Sequence, residues 1–224
     1  MNLRSLLSAA LLAALTVSHA EERILNLDFA EAPEKIEAVR SRPDRRKKIE
    51  NVDFYFPVPS TNGKSFTFQC LLTPRGMRAF SGVSVGIGNR EMTARRFTMQ
   101  IRLGDRNRTM LTFLSREKVL AKPAVGFKLE PVTFTIRYHA ETNSMDFLAT
   151  GKSGTEISKA EKIPVRFDSF TVNSILISVI DQPGAGEAYL SYNAEKQCLE
   201  GKSFLAAQYN STFAVDDIRI TYAE

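Results

Sequence analysis

Apolar and polar residues alternate with a period of two along most of the chain. Phe66, Phe68 and Cys70 alternate with Thr67 and Gln69, and Val83, Val85 and Ile87 with Ser84, Gly86 and Gly88. Phe97, Met99, Ile101 and Leu103 alternate with Thr98, Gln100 and Arg102. Val132, Phe134, Ile136 and Tyr138 repeat the pattern, as do Ala188, Leu190 and Tyr192. Successive side chains of a strand point to opposite faces, so each run has one face for a core and one for water. Similar runs at 24–29, 51–56, 109–114, 145–149, 170–179 and 212–222 bring the expectation to about eleven strands.

Turn chemistry separates them, at Pro74-Arg75-Gly76, Gly104-Asp105-Arg106-Asn107 and Gln182-Pro183-Gly184. Loops are expected at 31–48, 115–131, 152–164 and 194–211. A helix of one or two turns is expected over 32–40, where Pro33 suits the first helical position and Ile36 and Val39 share a face. Many strands without βα alternation predict an all-β fold, two antiparallel sheets packed face to face. No linker or repeat divides residues 21–224, which are read as one domain.

Residues 1–20 carry a different pattern. Arg4 precedes an almost unbroken apolar run from Leu6 to Val17, followed by Ser18-His19-Ala20. This is the layout of a secretory signal peptide cut after Ala20. Its apolar core is about twelve residues, too short for a span of roughly 20. The rest of the chain is therefore expected to be secreted or periplasmic. Losing Arg4 takes the formal charge from +5 to +4, too mild an excess to imply nucleic acid.

The segment FTIRYHAETNSMDF (134–147) reads as a hairpin, with Asn143 at a positive-φ turn position. It resembles a hairpin of concanavalin A-like lectin/glucanase and laminin-G-like jelly rolls, in which Tyr-Asp-Ala ends one strand and a Thr-Asn turn follows. His139 stands here in place of the Asp. GVSVGIGN (82–89) and TFAVDDIRITY (212–222) are similar to an early glycine-spaced strand and the closing strand of such sandwiches. ILNLDF (24–29) suits the partner of that closing strand. The resemblance implies a jelly roll in a bacterial exported protein and leaves activity open, because this architecture hosts lectins, hydrolases and inert domains.

Within the closing strand, Phe213 and Val215 lie on one parity and Ile218, Ile220 and Tyr222 on the other. One extra residue at Asp216-Asp217, a β-bulge, restores a single apolar face. Those carboxylates either cap a twisted strand or join Asp28 in one structural calcium site of the kind related carbohydrate-binding modules place between first and last strands. Asp53 is a weaker further ligand.

Catalytic patterns are sparse. A glycosidase needs two carboxyl groups roughly 5–9 Å apart, and no Glu-x-Asp-x-x-Glu run of the glucanase type occurs. His139 is the single histidine of 21–224, and its parity places it outward beside a turn. No nucleophile elbow or phosphate loop is present. Cys70 and Cys198 are either a disulfide, favoured by an oxidising compartment, or two separate thiols. The basic run RSRPDRRKK (40–48) is a solvated loop or a grip for anionic groups. The expected function is a noncatalytic module binding glycan or an envelope component, through Gln100 and Arg102 together with Arg137 and His139. A structural or protein-interaction domain is the second reading, and a glycan hydrolase the third.

Overall fold

The computed structural model describes residues 22–26, 37–40, 50–92, 95–104, 106, 108–116, 118–166, 170–181, 187–205 and 208–223. Residues 1–20, read above as a signal peptide, lie outside them, as do Asp28 and most of the basic run 40–48. The described strands are β1 (Glu22–Asn26), β2 (Glu37–Arg40), β3 (Glu50–Pro57), β4 (Phe66–Met77), β5 (Gly82–Gly88), β6 (Arg96–Leu103), β7 (Thr109–Ser115), β8 (Lys118–Val119) and β9 (Ala124–Val125). They continue with β10 (Val132–His139), β11 (Ser144–Gly151), β12 (Glu156–Pro164), β13 (Ser174–Asp181), β14 (Glu187–Asn193), β15 (Cys198–Leu205) and β16 (Gln208–Ala223). No α-helix occurs among the described residues.

The strands form two eight-stranded sheets. Sheet A runs β12-β11-β10-β4-β16-β15-β14, with β1 also on β16; sheet B runs β2-β3-β13-β5-β6-β7-β8, with β9 also on β7. Every described pairing is antiparallel. The apolar parities of the two sheets face each other. Phe68, Leu72, Phe134, Ile136, Phe147 and Phe213 of sheet A meet Val85, Ile87, Met99, Ile101, Phe113 and Ile177 of sheet B in one buried cluster. Rings bridge the layers directly: Phe147 lies 5.3 Å from Phe113 and 6.1 Å from Phe97, centroid to centroid, within the favoured range for aromatic pairs.

The bulge in the closing strand is present. On β16, Asp216 opposes Leu71 and Arg219 opposes Gln69, so three steps of β16 match two of β4. Phe213, Val215, Ile218, Ile220 and Tyr222 are thereby all buried on the core side. Asp217 takes the strained position, at φ 51°. The N-terminal strand pairs beside this closing strand, Leu25 opposite Ile220.

The turn of the β10–β11 hairpin also follows the expectation, with Asn143 at φ 45°. Its side chain accepts a hydrogen bond from the buried Tyr138 hydroxyl (3.1 Å) and donates one to the Val165 carbonyl (3.3 Å). The Tyr138 oxygen accepts from the Phe170 N–H (3.3 Å), so one turn residue ties the hairpin to the segment entering β13.

Four expectations need correction, the first being the loop 115–131, which contains the short strands β8 and β9. Residues 37–40 are the strand β2 on β3, not the end of a helix; so short a run is ambiguous by periodicity, and the open edge of β3 decides it. The expected loop 152–164 contains β12, an edge strand whose Lys159 and Glu161 mask its alternation while blunting the edge. The expected loop 194–211 contains β15, hidden by Gly201. That glycine lies under the Phe213 ring, where a Cβ would stand 2.0 Å from Cζ.

Candidate functional site

The outer face of sheet B has a floor of small residues. On β5 the outward positions are Gly82, Ser84, Gly86 and Gly88, which pair with Arg102, Gln100, Thr98 and Arg96 of β6. The backbones leave no room for more at two of them: a Cβ on Gly86 would lie 2.1 Å from the Phe97 carbonyl oxygen, and one on Gly82 2.4 Å from that of Ile101. A polar row crosses five strands of this face in register, Asp53–Ser178–Ser84–Gln100–Thr112. Four of its members are buried, and Gln100 is half-buried.

Arg96 is anchored over this floor. It starts on β6, and its Nη1 donates to Asp53 Oδ2 on β3 at 2.9 Å, two strands beyond Gly88. Burial opposes its charge, but Asp53 and Tyr55 more than offset that and raise its pKa. Burial, then the Asp53 charge, pushes the Tyr55 hydroxyl upward as well. Asp53 Oδ1 is buried with no hydrogen-bond partner, and so is Arg102 Nε on the same face. Asp53, Tyr55 and Arg96 were not recognised in the sequence as members of one site. The available signal was a lone carboxylate inside the apolar run Val52–Val58.

The outer face of sheet A is built differently. Arg137 is exposed, and His139 Nε2 donates to Asp146 Oδ2 at 2.8 Å, with 42% of the His139 side chain exposed. Asp146 Oδ1 accepts the backbone N–H of Lys162 (2.8 Å), a residue at φ 54° where β12 bulges against β11. Burial works against the Asp146 charge, but the Lys162 N–H and His139 hold its carboxyl below the usual range. A depression of about 160 Å³ opens beside it, lined by Thr135, Arg137, Glu156, Lys159 and Glu161. Lys159 and Glu161 are paired there at 2.7 Å. Farther along, Arg75 and Lys196 both hold Glu200, and the Arg75 hydrogen bond brings its pKa down to about 2.

The four expected ligand residues therefore do not make one platform. Gln100 and Arg102 share the outer face of sheet B, whereas Arg137 and His139 lie on the outer face of sheet A, on the far side of the sandwich. Parity assigns a residue to an outer face but not to a sheet.

No family model matches the sequence, and no curated protein matches it. Solved structures do match. The CBM2 module of evolved Dit from Lactobacillus casei BL23 phage J-1 superposes with a TM-score of 0.50 at 8% identity, over 93% of this chain and 92% of that one. Peanut lectin gives 0.49 at 11% identity over 92% and 99%, and basic winged bean lectin with Tn-antigen 0.47 at 12% over 90% and 98%. The fold is shared with that phage module: a two-sheet antiparallel jelly roll.

In this jelly roll the described carboxylates do not fit a calcium cage. Asp217 pairs with Arg219 at 2.9 Å, and Asp216 Oδ1 accepts the Asp217 N–H at 2.6 Å, so both serve the bulge. Asp53 belongs to the other sheet. Among the described residues no group of three or more His, Cys, Asp or Glu is placed to hold a metal.

The disulfide reading is overturned, since Cys70 and Cys198 are both free thiols. β16 lies between β4 and β15, which separates their backbones by about 9–10 Å, beyond the roughly 7 Å limit for a bridge. Cys70 also points into the core, whereas Cys198 shares the outward parity of Glu200. Burial pushes both thiols up and away from reactivity.

Proposed function

We propose that this chain is an exported, noncatalytic jelly-roll module that binds carbohydrate through the outer face of sheet B, at the cell envelope or outside the cell. The observation that supports it is the buried polar row from Asp53 to Thr112 on a glycine and serine floor, with an orphan acceptor at Asp53 and an orphan donor at Arg102. Sugar hydroxyls donate and accept at once, so they suit a surface that offers both. Gln100 in this row and Arg102 beside it, both half-buried, are the groups within reach of a sugar. The signal pattern of residues 1–20 is the ground for export.

A glycan array with neutral, uronic-acid and sulfated sugars tests this. The expected result is a defined set of binders whose affinity falls about 10-fold in Gln100→Ala, the effect of one lost hydrogen bond to a partly desolvated group. A blank array overturns the reading in favour of a structural or protein-interaction domain. Turnover of a bound glycan, abolished by changing one carboxylate, would overturn it in favour of a hydrolase.

A further inference from the structure

Two arginines at opposite ends of β6 occupy equivalent positions over glycines of β5, and they meet different fates. Arg96 stands beside Gly88, crosses to β3 and finds Asp53. Arg102 lies over Gly82, where an added Cβ would come within 2.7 Å of its Cγ. No carboxylate among the described residues pairs with it, and its Nε is buried with no partner. Its side chain is half-buried, so the rest of the guanidinium stays within reach of solvent. Burial alone pulls its pKa down, with no anion opposing that, whereas Asp53 raises that of Arg96.

The surroundings lean the same way. Residues 90–118 carry eight Lys and Arg against three Asp and Glu. Arg106 and Arg108 follow Arg102 at the β6–β7 turn, and both are exposed. Gln100, two positions from Arg102 on the same face, offers an amide to a neighbouring hydroxyl.

A buried donor without an acceptor is costly, and a guanidinium recovers most by pairing two of its N–H groups with two oxygens of one anion. We infer that the Arg102 end of the outer face of sheet B is a subsite for an anionic group carried on a sugar, a carboxylate or a sulfate ester. This inference rests on the carbohydrate reading above and narrows it to acidic glycans. Arg102 holds the anion, and Gln100 orients the ring that bears it.

Isothermal titration of the full mature chain tests the subsite with three probes: trigalacturonate, a heparin-derived tetrasaccharide and neutral maltotriose. The expected result is binding of at least one acidic probe about 10-fold tighter than the neutral one, weakening as salt rises. The first two probes separate carboxylate from sulfate as the preferred group. In Arg102→Gln the acidic-to-neutral preference should fall to about one, and Arg102→Lys should restore part of it. Lys152→Gln removes the same charge from an exposed position in the β11–β12 turn and should leave the preference intact. Circular dichroism and melting of each variant confirm folding.

Equal affinity for all probes, or a preference that survives Arg102→Gln, overturns the inference while leaving the carbohydrate reading standing. Loss of the preference in Lys152→Gln overturns it too, because net charge and not a site would then be responsible. A chain that binds none of the probes and leaves the array blank overturns both.

Discussion

The two outer faces of this sandwich arise from the same alternation yet are opposite environments. On sheet A the outward residues form ion pairs in contact with water: Arg75 and Lys196 with Glu200, His139 with Asp146, Lys159 with Glu161, Arg219 with Asp217. On sheet B the outward residues Asp53, Tyr55, Ser84, Leu176, Ser178 and Ile180 are each at most 6% exposed. A polar residue of the outward parity is therefore a surface group in one sheet and a buried one in the other. Buried polar groups need partners, and exposed ones do not. That contrast makes the sheet B face a candidate site and the sheet A face a solubilising surface.

The strongest test of this contrast is to remove one acid from each face. Asp53→Ala strands the Arg96 guanidinium in a largely buried position and should cost about 3 kcal/mol in denaturant unfolding. Glu200→Ala breaks pairs at the solvent boundary and should cost about 0.5 kcal/mol. Equal costs would end the distinction between the faces. Next in size is the turn of the β10–β11 hairpin. Asn143→Ala loses two side-chain hydrogen bonds and must hold φ 45°, so a loss of about 2 kcal/mol is expected. Asn143→Gly relieves the backbone but not the hydrogen bonds, and should recover about half of it.

Acid stability should belong mainly to sheet A. The carboxyls of Glu200 and Asp146 are held below their ordinary values in the folded protein. Their contributions are present above the ordinary carboxylate range and are lost as pH falls from about 5 towards 2. Arg75→Ala should flatten the melting temperature against pH over that window, and an unchanged profile would assign acid sensitivity elsewhere. The smallest expected effects are null ones. Reductant and millimolar calcium should each leave the melting temperature unchanged, and thiol titration of the unfolded chain should find both cysteines.

Legibility in the sequence followed the physics of each element. Strands buried on one face, such as β4, β6 and β10, declare themselves because the core enforces the alternation. The bulge at Asp216-Asp217 was legible for the same reason, since an apolar parity that flips must be restored by one residue. β12 and β15 were not, because charges at the edge of a sheet and a glycine under an aromatic ring look locally like loop chemistry. Gln100 and Arg102 were placed outward correctly, but pairing them with Arg137 and His139 required knowing which strands share a sheet. Strand order is set by contacts between residues far apart in sequence, and periodicity carries none of that information. The Arg96–Asp53 pair, 43 residues apart in the chain, was hidden by the same separation.

The sixteen-residue β16 has a consequence for when this protein acquires its shape. It lies between β4 on one side and both β1 and β15 on the other, so the middle of sheet A is vacant until residues 208–223 have been synthesised. A nascent chain short of that strand has two half-sheets with open edges and no closed core. Closure of sheet A must then wait for this strand, and the long-range pairings make it slow once begun.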